Sequence, residues 1–212
     1  MKKNLITAIL MTIVTTILLG IIYPLAVTGI AQLLFPKQAN GELIRKNGVI
    51  VGSKLIGQEF SGAGYFDSRP SAAGNGYDAE NSNGTQYGPT NQKLIDQVEA
   101  RVADARKENP NAPVPIDLVT ASASGLDPDI TPAAAEFQAP RVAHERGMTR
   151  QQIETLIREY TQQREWGFLG EPRVNVLELN LALDRIHPMR KEQKASPSVA
   201  RTAPAAAENP GN

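Results

Sequence analysis

The sequence predicts an α+β protein: one N-terminal transmembrane helix followed by a compact extracytoplasmic domain of short strands and three or four helices. Three observations lead there. From Asn4 to Pro36 no residue is charged, and 5–22 reads LITAILMTIVTTILLGII. Between residues 90 and 186, apolar residues recur at helical spacing behind Thr and Asn caps. Short apolar runs cut by glycine, at 49–51, 55–56 and 173–176, read as strands. The predicted division is an anchor over 1–36, a domain over 37–189 and a disordered tail over 190–212.

The apolar run is long enough to span a bilayer core ~30 Å thick, which takes ~20 helical residues. Thr7, Thr12, Thr15 and Thr16 are compatible with lipid, because a helical hydroxyl bonds a carbonyl about one turn back. Pro24 predicts a kink or an end. Two forms stay open: one tilted helix reaching Leu34, or a shorter span with an interfacial second half. Lys2 and Lys3 favour a cytoplasmic N-terminus and place the domain outside. A rival reading is a cleaved signal peptide, with small residues at Gly29-Ile30-Ala31. The apolar run exceeds the ~7–15 residues of a signal-peptide core.

Residues 61–90 are rich in Gly, Ser and Asn, yet hold Tyr65, Phe66, Tyr77 and Tyr87. Disordered segments are aromatic-poor, so this stretch reads as an ordered loop facing a partner. Its contact residues are Tyr65, Phe66, Arg69, Tyr77 and Tyr87. Arg69 packed on Tyr65 or Phe66 is the structural alternative.

Thr90 or Asn91 then caps a helix running to about Lys107, with Leu94, Ile95, Val98 and Val102 on one face. Asn109-Pro110 ends it. Thr131-Pro132 opens a helix through Ala143. Thr149 and Gln152 make a capping box, with Met148 stapling onto Ile153. Ile153, Leu156, Ile157 and Tyr160 follow on one face. Arg173–Val176 reads as a strand, and Leu177–Ile186 as a buried helix.

The chain has 22 Lys+Arg, 22 Asp+Glu, no cysteine and two histidines. The charge balance lacks the basic surplus of a nucleic-acid binder. The missing cysteine excludes disulfides, thiol catalysis and thiolate metal sites. His144 and His187 lack metal-ligand spacing, so no metal site is predicted. No phosphate-binding Walker loop and no G-x-S-x-G elbow is present. The densest polar cluster is VTASASGLDPD at 119–129. One reading makes Ser122 or Ser124 a nucleophile, His144 its base and Asp127 the orienting group. The other makes it a turn at Gly125 followed by an Asx turn at Asp127-Pro128. Gln138 and Arg141, three residues apart, read as structural polar contacts.

Several segments together resemble one family. They are the uncharged N-terminal span, GSKLIGQ at 52–58, YFDSRPSA at 65–72, DLVTASASGLDPD at 117–129 with Gln138–Ala143 after it, and VNVLELNLALD at 174–184. The set resembles the C subunit of the Kdp-type high-affinity potassium-transporting ATPase of bacteria. The resemblance implies a non-catalytic accessory subunit that assembles and stabilises an ATP-driven potassium uptake pump. It implies two protein partners, a P-type ATP-hydrolysing subunit and a potassium-binding channel-like subunit, besides membrane lipid. ATP would be handled by the first, potassium would be carried by the complex, and no cofactor would be bound covalently. A catalytic-chaperone role, raising the ATP affinity of the catalytic subunit, is also implied, with Ser122, Ser124 and Gln138 as nucleotide-related residues. The implied location is the bacterial cytoplasmic (inner) membrane, single-pass, with the main domain periplasmic. The alternatives are a membrane-anchored extracytoplasmic serine hydrolase and a solute-binding module.

Overall fold

The structure, a computed structural model, describes residues 2–189; the tail expected over 190–212 lies outside them. Helix α1 (Lys2–Ile17) passes through a five-residue π-turn (Leu18–Ile22) into α2 (Tyr23–Leu34). Together they make one apolar helix of 33 residues, long and apolar enough to cross a membrane. At ~1.5 Å per residue it measures about 50 Å, so across a ~30 Å bilayer core it would tilt or protrude. Thr7, Thr12 and Thr15 donate to the carbonyls of Lys3, Ala8 and Met11 at 3.0, 2.9 and 2.8 Å.

Pro24 does not end this helix. Its ring would press on the Gly20 carbonyl one turn back. The π-turn supplies an extra residue there, and the Tyr23 N–H bonds the Leu18 carbonyl, five residues back. The end falls at Phe35, where φ is −134° and ψ is 56°. Pro36 disfavours helical geometry in the residue before it. A single turn, α3 (Pro36–Ala39), follows.

The domain starts with a hairpin of β1 (Leu43–Lys46) and β2 (Val49–Ser53). Lys46 pairs with Val49 across Asn47-Gly48, both at positive φ (52° and 81°). That is the two-residue turn for which Asn-Gly is favoured. The strand expected at Leu55–Ile56 is a turn instead, and Leu43–Lys46 takes its place. The Asn-Gly reversal fixes the register, and register decides which run pairs.

Helix α4 (Gln92–Glu108) is capped by the Asn91 side chain and ends at Asn109. No residue of it is fully buried, so its apolar face packs only lightly. Helix α5 (Pro132–Arg146) is capped by Thr131 and runs three residues beyond the expected end, to Gly147 in the left-handed region. Pro140 lies inside it, where it removes one backbone donor; neighbouring Ala139, Val142 and Ala143 are buried. Helix α6 (Arg150–Glu159) carries the complete Thr149/Gln152 capping box, and Tyr160 forms its C-cap.

Three short strands make an antiparallel sheet in the order β3 (Asp129–Ile130), β5 (Arg173–Asn175), β4 (Thr161–Gln162). Val176, expected in the strand, opens helix α7 (Val176–Ile186), because the Asn175 side chain caps it by accepting from Glu178 N–H. The core joins Ile130 and Val174 of the sheet, Ala135, Ala139 and Val142 of α5, Ile153 and Ile157 of α6, and Leu179 and Leu183 of α7. Phe66, from the long loop, completes it.

Candidate functional site

The loop over 61–90 is ordered by inward-directed bonds rather than by strand or helix ladders. Phe66 is 0 % exposed. Its N–H donates to Asn180 Oδ1 at 2.9 Å, and its carbonyl accepts from Asn180 Nδ2 at 2.9 Å. One side chain of α7 thus stands in for a sheet partner. Next door, Gln138 of α5 is 1 % exposed. It accepts from Asp67 N–H at 2.8 Å and donates to the Asp67 and Ala134 carbonyls at 3.2 and 3.3 Å.

Two arginines of α5 clamp the same stretch. Arg141 donates to the Ala63 and Tyr65 carbonyls at 2.7 and 2.8 Å. It also pairs with Asp67 at 2.9 Å and with Glu108 of α4 at 2.8 Å. The Arg146 side chain is 0 % exposed and pairs with Asp184 at 3.0 Å. It donates to the Gly64 and His187 carbonyls at 2.6 and 2.7 Å. Its guanidinium carbon lies 4.6 Å from the Tyr65 ring centre. Stacking on Tyr65 is the structural alternative for Arg69 in the sequence; Arg146 occupies that position. Burial and the neighbouring Asp184 carboxylate, which accepts the Tyr65 hydroxyl at 3.1 Å, push the Tyr65 phenol above its usual range.

Arg69 instead pairs with Asp127 at 3.0 Å. Asp127 also accepts from Asp129 N–H at 3.1 Å, which is the Asx turn read at Asp127-Pro128. Asp129 meets Arg173 at 3.2 Å and Asn175 at 3.2 Å. Arg69, Asp127, Asp129 and Arg173 line a shallow cleft with Asp117, whose carboxylate accepts Thr131 N–H at 2.6 Å beside the start of α5. Burial raises the Asp129 and Asp67 carboxyls despite their arginine partners. Among the described residues, no group of His, Asp and Glu is disposed to hold a metal ion.

Gly125, at φ 66°, lets the 119–129 segment press against the loop. A Cβ there would stand 2.5 Å from the Asn83 carbonyl oxygen and 2.7 Å from Ala73 N. Ser71 bonds across the same gap, donating to the Gly125 carbonyl at 2.6 Å.

Two expected sites change. Phe66 cannot meet a partner from inside the core. Gln138 has its amide taken by Asp67, Ala134 and Arg141, and it lies on the buried face of α5. Ser122 and Ser124 lie in an outer turn with their hydroxyls 3.4 Å apart. Ser124 Oγ accepts from Leu126 N–H at 3.1 Å. Among the described residues, no hydrogen bond joins either serine to Gln138 or to His144. The His144 side chain is 86 % exposed and faces Glu145. Of the remaining aromatics, Tyr77 donates to the Arg69 carbonyl at 2.6 Å, and Tyr87 is half-buried.

Tyr77 is a sensitive reporter of this loop. Burial, then the charges of Asp67 and Glu59, push its phenol up to about 12. An unfolded tyrosine ionises near ~10. Between those values the unfolded chain has released a proton that the folded chain still holds. Stability therefore falls as pH rises through that window and is unaffected below it. Tyr77→Phe is expected to abolish a late step in the absorbance titration of tyrosinate. It should also cost about 1 kcal/mol at neutral pH through the lost bond.

Sequence reasoning missed a further exposed feature. Between β4 and β5 the chain turns back at Trp166-Gly167-Phe168, with Glu165 and Leu169 paired across the neck. Trp166 is 83 % exposed and Phe168 69 %. The signal was in the sequence: the chain's one tryptophan stands in the glycine-flanked run EWGFLG at 165–170.

A family model described as K+-transporting ATPase, c chain, matches residues 5–185. The Potassium-transporting ATPase KdpC subunit of Koribacter versatilis is 60 % identical over 189 residues, covering 89 % of this chain and 98 % of the relative. The protein of that name from Acidobacterium capsulatum is 60 % identical over 185 residues, covering 87 % and 100 %. That from Rhodospirillum rubrum is 54 % identical over 191 residues, covering 89 % and 99 %. With residues 5–34 of the apolar helix, the loop at 65–72 and the turn at 117–129 inside the matched span, the chain belongs to the family of the c chain, or KdpC subunit, of the K+-transporting ATPase.

Proposed function

We propose that this chain is a non-catalytic accessory subunit that assembles and stabilises an ATP-driven potassium uptake pump. The observation that carries this is the pairing of an apolar helix with a domain whose best-ordered polar groups bind the chain's own backbone. Arg141, Arg146, Gln138 and Asn180 hold loop carbonyls and amides. Such a domain offers a rigid surface to neighbours. The partners are a P-type ATP-hydrolysing subunit and a potassium-binding channel-like subunit. The family resemblance supports location in a bacterial inner membrane, and Lys2 and Lys3 before the apolar run favour a cytoplasmic N-terminus with the domain periplasmic. Partner contact through the loop falls to Tyr87 and the open edges of Tyr65, Arg69 and Tyr77.

In that topology the domain does not meet cytoplasmic ATP. A rise in the catalytic subunit's ATP affinity would pass through membrane helices that make different contacts in two pump states. Ser122 and Ser124 then serve as turn-formers.

The test is co-purification. A C-terminally tagged chain, extracted from its own membranes in mild detergent, should bring down both pump subunits. Recovery of the chain alone, from membranes that contain them, would overturn the proposal. In the assembled pump, the Ser122→Ala, Ser124→Ala double variant should keep potassium-stimulated ATPase activity within twofold.

A further inference from the structure

We propose that the hairpin tip Trp166-Gly167-Phe168 is a preformed plug that seats in an apolar socket of a neighbouring pump subunit. This rests on the accessory-subunit reading above.

The tip is built and held, not merely exposed. Trp166 adopts φ 51°, the left-handed region, and Gly167 follows at 81°. A bulky residue there is a conformational outlier, retained where the surroundings enforce it. The enforcement is visible. Glu165 and Leu169 exchange backbone hydrogen bonds of 2.9 Å in both directions, and Phe168 N–H bonds the Glu165 carbonyl at 3.2 Å. Below them, Arg164 and Glu171 close the neck at 2.6 Å. The two aromatic rings stand 6.5 Å apart at 38°, a tilted pair facing outward. Leu169 extends the apolar surface.

The energetic oddity is twofold. A backbone conformation that disfavours tryptophan presents tryptophan, and the ring it presents stays in water. Removing so large an apolar side chain from water is favourable in proportion to the area buried. Because the turn is already fixed, docking it costs little ordering. Tryptophan is among the residues enriched at the energetic centres of protein interfaces.

The charges at the neck choose the occupant. Arg164 pairs with Glu171, and Arg173 with Asp129 and, at 3.9 Å, Glu165. Cations engaged in this way leave no basic surplus at the neck among the described residues. Binding to an anionic lipid surface draws on unpaired Lys and Arg around the apolar residues. A self-neutralised neck fits a protein socket with an apolar floor and a polar rim.

The cysteine-free chain makes the test direct. Phe168→Cys and Leu169→Cys each place one thiol at the tip, and Lys107→Cys, on the exposed face of α4, reports bulk access. Maleimide labelling of the full chain is compared in the purified pump and in the isolated chain, in the same detergent. Tip labelling should slow at least tenfold in the pump, and labelling at position 107 should not. Equal rates at the tip would overturn the proposal. Equal protection of the isolated chain in phosphatidylcholine vesicles would overturn it too, in favour of the bilayer. Trp166→Ala should lower recovery with the pump subunits at least tenfold with an unchanged circular dichroism spectrum; full recovery would refute the plug. Failure of the unaltered chain to co-purify is a separate result, and it removes the accessory-subunit reading itself.

Discussion

Arg146→Met is expected to destabilise the folded domain by about 3 kcal/mol. The change removes a fully buried cation and leaves the Gly64 and His187 carbonyls without their donor. Among the described residues it also leaves Asp184 with only Tyr65 and, at 3.9 Å, Lys46. Breaking a buried pair from one side typically costs about 3–5 kcal/mol, because the remaining charge stays desolvated. The lower end applies here, since the Asp184 side chain is 20 % exposed. Arg146 Nη2 has no partner among the described residues, so the native arrangement there already bears part of a desolvation cost. Adding Asp184→Asn to Arg146→Met removes the stranded charge and keeps an acceptor for Tyr65. The double variant should therefore be more stable than Arg146→Met alone. Urea unfolding of the full chain in detergent, followed by far-ultraviolet circular dichroism, measures both. A double variant less stable than the single would show that the lost carbonyl bonds dominate.

Gly125→Ala is expected to cost about 3 kcal/mol or more, and to loosen the aromatic loop before the helices melt. Two penalties add at this position. A left-handed φ costs a non-glycine residue about 1–2 kcal/mol. The new methyl group also meets backbone on two sides, at Asn83 and Ala73. Backbone cannot swing away as the end of a flexible side chain can. The Ser71 bond to the Gly125 carbonyl should fail with it. Limited proteolysis should then cut within 71–84 in the variant and leave the native loop intact. Gly170→Ala, also at positive φ but with nothing near its Cβ, should show only the backbone part of the cost.

These two positions illustrate what the sequence could and could not reveal. The caps were legible, because Asn91, Thr131 and Thr149 act on amides two or three residues away. So was the core face of α6, where Ile153, Leu156 and Ile157 repeat at helical spacing. The order of the aromatic loop was legible too, but its inward direction was not. Phe66 is buried by Asn180, which lies 114 residues away. Gln138 is consumed by Asp67, 71 residues away. Separations of that size leave no local pattern. The same holds for Arg146, which reads as one more basic residue at a helix end. The Leu43–Lys46 strand was hidden for another reason: Arg45 and Lys46 break its apolar character, and only the Asn47-Gly48 turn pairs it with β2.

The π-turn in the anchor helix carries a consequence of phase. In an unbroken α-helix, Ala8, Thr12, Thr16 and Gly20 would continue along one line to Pro24, Thr28 and Gln32. A wider turn holds one residue more, which rotates everything after it by about 100°. The line from Gly20 therefore runs on through Leu25, Gly29 and Leu33, and the proline, the hydroxyl and the amide swing to a different side. A neighbouring helix that follows the narrow groove of small residues along the first half meets alternating bulk and gap along the second. It turns away from Pro24, Thr28 and Gln32, and a single residue deleted between 18 and 22 would close the wide turn into an α-turn while keeping Leu25, Gly29 and Leu33 on the groove's line.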